Sequence, residues 1–261
     1  MIKKVLKLSP LRISIILAVV VSALYLSGFS FLLDMMELKA YDLRFKSRGD
    51  MKPGDEVAIA VIDEKSLDVL GRWPWPRSTI AQLVDRLSEV GARVIGFDIV
   101  FSEPEENSFL RNANLIKRKL EERGATDARL QEYFKTLEQE ADNDAQLAGA
   151  IKDSGRVVEG YFFHFQKEGL EHMDKESLRK YLATIELSNY EQIFYTNKEA
   201  AGVHFLEGYA VESNIDVISH AGLDFGYFNF VPDSDGVVRK VPLLIEYRGD
   251  ELFPGANLFP P

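Results

Sequence analysis

The chain has 261 residues, 46% of them apolar, and no cysteine. These figures exclude wholesale disorder, a disulfide framework, a thiolate metal site and a cysteine nucleophile. The formal net charge is −10; Lys3, Lys4, Lys7 and Arg12 precede the first apolar segment, and the remainder of the chain holds 27 basic against 41 acidic residues. Phosphate backbones would repel such a domain, which argues against nucleic acid as a partner and leaves a cation, a basic ligand or a neutral one.

Ile13 to Leu33 carries no charge and is long enough to cross a bilayer as a helix. Apolar residues continue past Ser27-Gly28-Phe29-Ser30, which favours an uncleaved anchor over a signal peptide. The segment predicts a transmembrane helix over 13–33 in an inner or plasma membrane, with residues 1–12 as a basic cytoplasmic N-terminus. Asp34 and Glu37 on the far side place the remainder outside the cytoplasm. Met35 to Met51 predicts a juxtamembrane helix, broken by Lys52-Pro53-Gly54-Asp55.

The run Val57-Ala58-Ile59-Ala60-Val61-Ile62 predicts a strand covered on both faces, and Arg93 to Val100 a second. Between them, Ile80, Leu83, Val84, Leu87 and Val90 fall on one helical face. Ser78 or Thr79 is placed to cap that helix, with Gln82 completing a capping box with Thr79, and Gly91 to end it. Strand, helix and strand in this order form a right-handed crossover with parallel strands.

A polar loop, 101–107, then leads to two charged helices. Phe109, Leu110, Ala113, Ile116 and Leu120 line the first; Thr126 caps the second, whose apolar face runs on to Ile151. Their charges read as a solvated face. Arg156 to Phe163 predicts a third strand, 164–200 an irregular insertion, and Asn214 to His220 a short helix. Phe225–Val231 and Val237–Tyr247 flank an Asp235-Gly236 turn, the signature of a hairpin, and Leu252-Phe253 starts a last strand. Residues 254–261 close no element and read as an interrupted tail. The expected fold is α/β: a three-layer mixed sheet with a parallel βαβ core and a C-terminal β-hairpin, preceded by one transmembrane helix.

Two features could carry chemistry. Asp63 and Asp98 stand at the carboxyl ends of the first two strands, where open parallel sheets bind ligands. With Glu64 they could hold a divalent cation or act as acid and base; equally, each could cap the next segment or pair with Arg77. The loop Gly71-Arg72-Trp73-Pro74-Trp75-Pro76-Arg77 holds two indoles on a proline-stiffened backbone. It could be a preformed ligand surface, or a plug sealing the core edge. Asp233-Ser234-Asp235-Gly236 resembles the opening of a calcium loop, but its glycine comes too early and Val237 stands where a ligand is needed. The four histidines show no metal-ligand spacing, and no phosphate loop, serine elbow or zinc-protease pattern occurs, so neither metal nor cofactor is expected.

Several ordered motifs together resemble the CHASE2 family of extracytoplasmic sensor domains in bacterial signalling proteins. They are Glu37 with Tyr41-Asp42-Leu43-Arg44, Val61-Ile62-Asp63-Glu64-Lys65-Ser66-Leu67, Gly71 to Arg77, and Val94 to Phe101. Gly226-Tyr227-Phe228-Asn229 and Pro232 to Leu243 look like the family's C-terminal hairpin. The resemblance covers roughly residues 37–253 and departs after Phe253, where family members continue with a helix toward the membrane. It implies a receptor rather than an enzyme: a sensor over 34–253 that reads a small-molecule or envelope ligand and, by analogy with paired cyclases and kinases, a homodimer. The output domain, a nucleotide cyclase or a protein kinase, would lie outside this chain. The family assigns no ligand residues. From the sequence alone, Asp63, Arg72, Trp73, Trp75, Arg77 and Asp98 are the binding candidates. Two other functions stay open: a metal-dependent hydrolase using Asp63 and Asp98, and a cell-envelope module that binds a protein partner through the tryptophan loop.

Overall fold

The computed structural model describes residues 9–26, 31–52, 54–125, 127–171, 173–190, 194, 196, 204–248 and 251–255. The chain divides into two compact units, Met1–Glu56 and Val57–Pro261.

The first unit contains helices α1 (Pro10–Leu26) and α2 (Phe31–Arg48). The expected transmembrane helix over 13–33 is not found. Helix α1 has 17 residues, about 26 Å at the usual rise, against a hydrocarbon core of roughly 30 Å. Residues 27–30 lie outside the described residues, and α2 takes in Asp34, Glu37, Lys39 and Asp42. No helix among the described residues is long and apolar enough to cross a membrane. The basic residues Lys3, Lys4 and Lys7 also lie outside the described residues.

The second unit is mixed α/β. Its elements run α3 (Glu64–Leu70), α4 (Arg77–Glu89), β1 (Ile95–Gly96), α5 (Ser108–Glu122), α6 (Ala128–Glu140), α7 (Asn143–Ser154), β2 (Val157–His164) and α8 (Lys175–Ile185). Then come β3 (Leu206–Gly208), β4 (Ala210–Glu212), α9 (Asp216–Ser219), β5 (Asp224–Tyr227), β6 (Leu244–Tyr247) and β7 (Glu251–Pro254). Strand β2 is the centre of a four-stranded sheet. It pairs in parallel with β1 (Ile95 opposite Val157) and β5 (Val158 opposite Asp224), and antiparallel with β4 (Phe162 opposite Glu212). A second sheet has the order β3-β6-β7, and a bridge from Tyr227 to Gly255 ties the end of β5 to it.

Further sequence expectations are corrected. Residues 57–62 make no sheet hydrogen bonds among the described residues, and Val57, Ile59 and Val61 are 75, 86 and 67% exposed. Only Ile62 of that run packs on the core, and β1 pairs with β2 instead. An apolar run becomes a strand only where a neighbouring ladder takes up its N–H and C=O groups. The turn at Asp233–Gly236 forms, with Gly236 N–H bonded to Asp233 O at 2.8 Å, but β5 and β6 pair with other strands. The hairpin comes one turn later, between β6 and β7. Helix α4 carries no Ser or Thr side-chain cap: it starts at Arg77. Its first amide donates to Glu105 Oε2 at 2.6 Å, from 28 residues along the chain. Likewise Asp127 caps α6; Thr126 lies outside the described residues.

Two apolar clusters form the core. The first joins Trp75, Ile80, Val84, Ile95, Phe101, Leu147, Ile151, Val157 and Ile218. The second joins Tyr161, Phe163, Leu182, Ile185, Val211, Phe225, Tyr227, Ile245 and Phe253. Strand β2 contributes to both, because Val157, Tyr161 and Phe163 share one face at the strand period of two. Between Val157 and Tyr161 on that face sits Glu159, 1% exposed.

Candidate functional site

The loop from Gly71 to Pro76 joins α3 to α4. Gly71 ends α3 at φ 91°, a conformation that favours glycine, and its N–H returns to Leu67 O at 2.9 Å. Trp75 folds back over this turn. Its Nε1–H donates to Gly71 O at 2.9 Å, and its ring is 6% exposed within the first core cluster. Trp73, two residues earlier, stays 41% exposed, with its ring edge-on to Trp75 at 5.8 Å. Trp75 is therefore a plug in the core edge, and Trp73 presents a partly exposed ring that rests edge-on against it. Arg72 is exposed beside Trp73 in the chain.

Arg77 is engaged inward. Its guanidinium lies 4.5 Å over the Phe101 ring, its Nε is 3.5 Å from Asp144 Oδ1, and Nη2 donates to Glu103 O at 3.3 Å. Asp144 also accepts from Glu105 N at 2.9 Å, and Glu105 Oε1 accepts from Asn143 Nδ2 at 2.8 Å. Burial pushes the Asp144 carboxyl up; the Glu105 amide and the Arg77 guanidinium pull in the other direction. This network clamps the start of α4 to the start of α7 and leaves Arg77 a structural task.

Asp63 is a helix cap. Its Oδ1 accepts from Ser66 N at 3.0 Å and Ser66 Oγ at 2.8 Å, and these bonds hold its carboxyl below the usual range. Asp98 is exposed and has no hydrogen bond or ion pair among the described residues. The two carboxylates share no partner. No group of three or more His, Asp or Glu side chains among the described residues could hold a metal ion. The structure thus packs Trp75 in one core cluster with Phe101, lays the Arg77 guanidinium over the Phe101 ring and sets Trp73 edge-on to Trp75.

The buried carboxylate of Glu159 has no place among the sequence candidates. Its Oε2 accepts from Asn214 Nδ2 at 2.8 Å. Asn214, itself 1% exposed, accepts from Phe101 N through Oδ1 at 2.7 Å, and its Nδ2 also reaches Gly160 O at 3.3 Å. The next amide, Ile215 N–H, bonds to Phe101 O at 2.8 Å. One asparagine therefore links the chain after β1, the middle of β2 and the connection from β4 to α9. Glu159 Oε1 lies against Gly222 with no hydrogen bond of good geometry; a Cβ at that glycine would stand 2.7 Å from it. Burial pushes the Glu159 carboxyl up to about 8, opposed by the Asn214 amide and more weakly by the nearby Gly222 N–H. A signal was present in the sequence: a single acid on the core-facing register of the otherwise apolar Val157–Phe163 run.

Comparison with curated proteins and with solved structures gives no match. The CHASE2 domain model matches residues 15–259, nearly the whole chain. On that match the chain belongs to the CHASE2 domain family, the extracytoplasmic sensor domains of signalling proteins.

Proposed function

We propose that this chain is the ligand-sensing input module of a signal-transduction protein, and that ligand contacts the exposed face of Trp73 and the adjoining Arg72. The observation that carries this reading is the pair of indoles: one buried as an anchor, the other held outside on it. A large aromatic fixed in that way offers area at small entropic cost, the property of a recognition surface. The ligand is a small molecule of the cell envelope, neutral or cationic in keeping with the acidic domain. Binding favours one arrangement of the sensor, and an attached nucleotide cyclase or protein kinase reads that population; two sensors side by side would suit such outputs. The hydrolase alternative has no such support, since Asp63 is already bonded to Ser66.

Both tryptophans of the protein lie in this loop, so indole fluorescence reports on it directly. A panel of amino acids, amines, sugars and peptidoglycan fragments is titrated against the chain. Saturable quenching by at least one compound is expected, weakened about tenfold or more by Trp73→Ala, a loss of about 1.4 kcal/mol. Binding unaffected by Trp73→Ala would contradict the assignment of the surface.

A further inference from the structure

A carboxylate at the centre of a core is uncommon without a cation beside it. Glu159 has none among the described residues. The titratable side chains on the elements around it are Tyr161 and His164 on β2, Asp98 beyond β1, Glu212 on β4, Asp224 and Tyr227 on β5, and Asp216 and His220 at the two ends of α9. None hydrogen-bonds to it among the described residues: Asp224 accepts from Phe225 N, Tyr161 OH lies near Ser188 Oγ, His164 Nε2 faces Glu212 Oε2, Tyr227 OH donates to Pro242 O, and His220 Nδ1 contacts Asp216 O. Its polar surroundings are an asparagine amide and a glycine backbone, both neutral. The buried hydroxyl of Ser213, on the same connection as Asn214, also lacks a partner among the described residues.

The connection outward is short. Asn214 holds Glu159 with its amide and the Phe101 N–H with its carbonyl oxygen. The Phe101 ring lies under the Arg77 guanidinium and shares a core cluster with Trp75. We propose that Glu159 is a proton-binding site of the sensor, and that on losing its proton it draws water in past the Gly222 turn and the Asn214 connection and so moves the tryptophan loop. Protonated, the side chain is a neutral acid that keeps its Asn214 bond through one oxygen and carries the proton on the other. Ionised, it is a buried anion with one well-formed hydrogen bond. Water must then reach it, and the nearest barriers are the Gly222 turn and the Asn214 connection. The external ligand of this switch is the hydronium ion, so the domain responds to alkalinity outside the cytoplasm. This regulates the loop assigned above to ligand binding, yet the movement is measurable with no ligand present, so a failure of either claim leaves the other standing.

The test is tryptophan emission of the full chain from about pH 6 to about pH 9, below the ordinary tyrosine range. The expected result is a red shift as Trp75 gains water, with a midpoint near the value of about 8 set by burial of Glu159, and a flat profile for Glu159→Gln. No shift in the wild type, or the same shift in Glu159→Gln, overturns the proposal. Should Glu159→Gln fail to fold, the wild type labelled at glutamate side-chain carboxyl carbons decides. One resonance titrating in step with the emission supports the proposal; glutamates that all titrate in the acid range overturn it.

Discussion

Trp73 and Trp75 are separated by one proline, yet only Trp75 gives its ring and its N–H to the fold. Removing it opens a cavity beside Phe101 and Ile80 and frees the Gly71 carbonyl. Trp75→Ala should cost about 3–5 kcal/mol in urea unfolding, while Trp73→Ala loses chiefly an edge-on ring contact, about 1 kcal/mol. Equal losses would mean that both indoles are core. Glu159 gives a second residue-level outcome. Its folded value is raised from 4.5 to about 8, so the folded state binds its proton more tightly than the unfolded state does. Stability is then lost as pH rises from about 4.5 to about 8, by up to about 1.4 kcal/mol per unit, and the loss levels off above that range. Glu159→Gln should remove that part of the slope between pH 5 and pH 8; unchanged slopes would show that the acid is not buried. The sequence could place the paired tryptophans in one loop but could not say which is inside. That choice depends on Phe101, Ile80 and Ile95, which reach the loop only through the fold.

Among elements, the apolar faces of α4 and α5 and the position of β2 were readable, while α3, α8, β3 and β4 were not, and the partners of each strand were hidden. The spacing of Ile80, Val84 and Leu87 marks the inward face of α4 because a helix satisfies its own backbone groups and needs only one apolar face. A strand depends on its neighbours. Thus the apolar runs 57–62 and 156–163 look equally strand-like, yet only the second has ladders on both edges. The capping of α4 by Glu105 was equally hidden, since the two residues meet only when α7 is in place. These differences set a measurable contrast. Ile80→Ala, at a site 1% exposed, should destabilise by about 2–5 kcal/mol. Ile59→Ala, at a site 86% exposed, should stay within about 0.5 kcal/mol. A large loss at Ile59 in urea unfolding would show that residues 57–62 are paired in solution.

At the scale of the molecule, the second unit has two core clusters joined along β2, with Glu159 and Asn214 at the join and the tryptophan loop over the first cluster. In the proposed function, ligand shifts the position of the tryptophan loop, and that shift is what an output domain detects. The expectation that Asp63 and Asp98 flank one crevice rests on adjacent parallel strands, and residues 57–62 make no sheet hydrogen bonds among the described residues. Membership of the CHASE2 family accounts for the ordered motifs; the sensing role rests on whether the Trp73 surface controls an output. The most direct measurement joins the chain to the catalytic domain of a nucleotide cyclase and follows cyclic nucleotide production as a quenching compound is added. The account predicts a saturable change in output that Trp73→Ala shifts to at least about tenfold higher concentration. Output that stays the same while the compound is bound would contradict it.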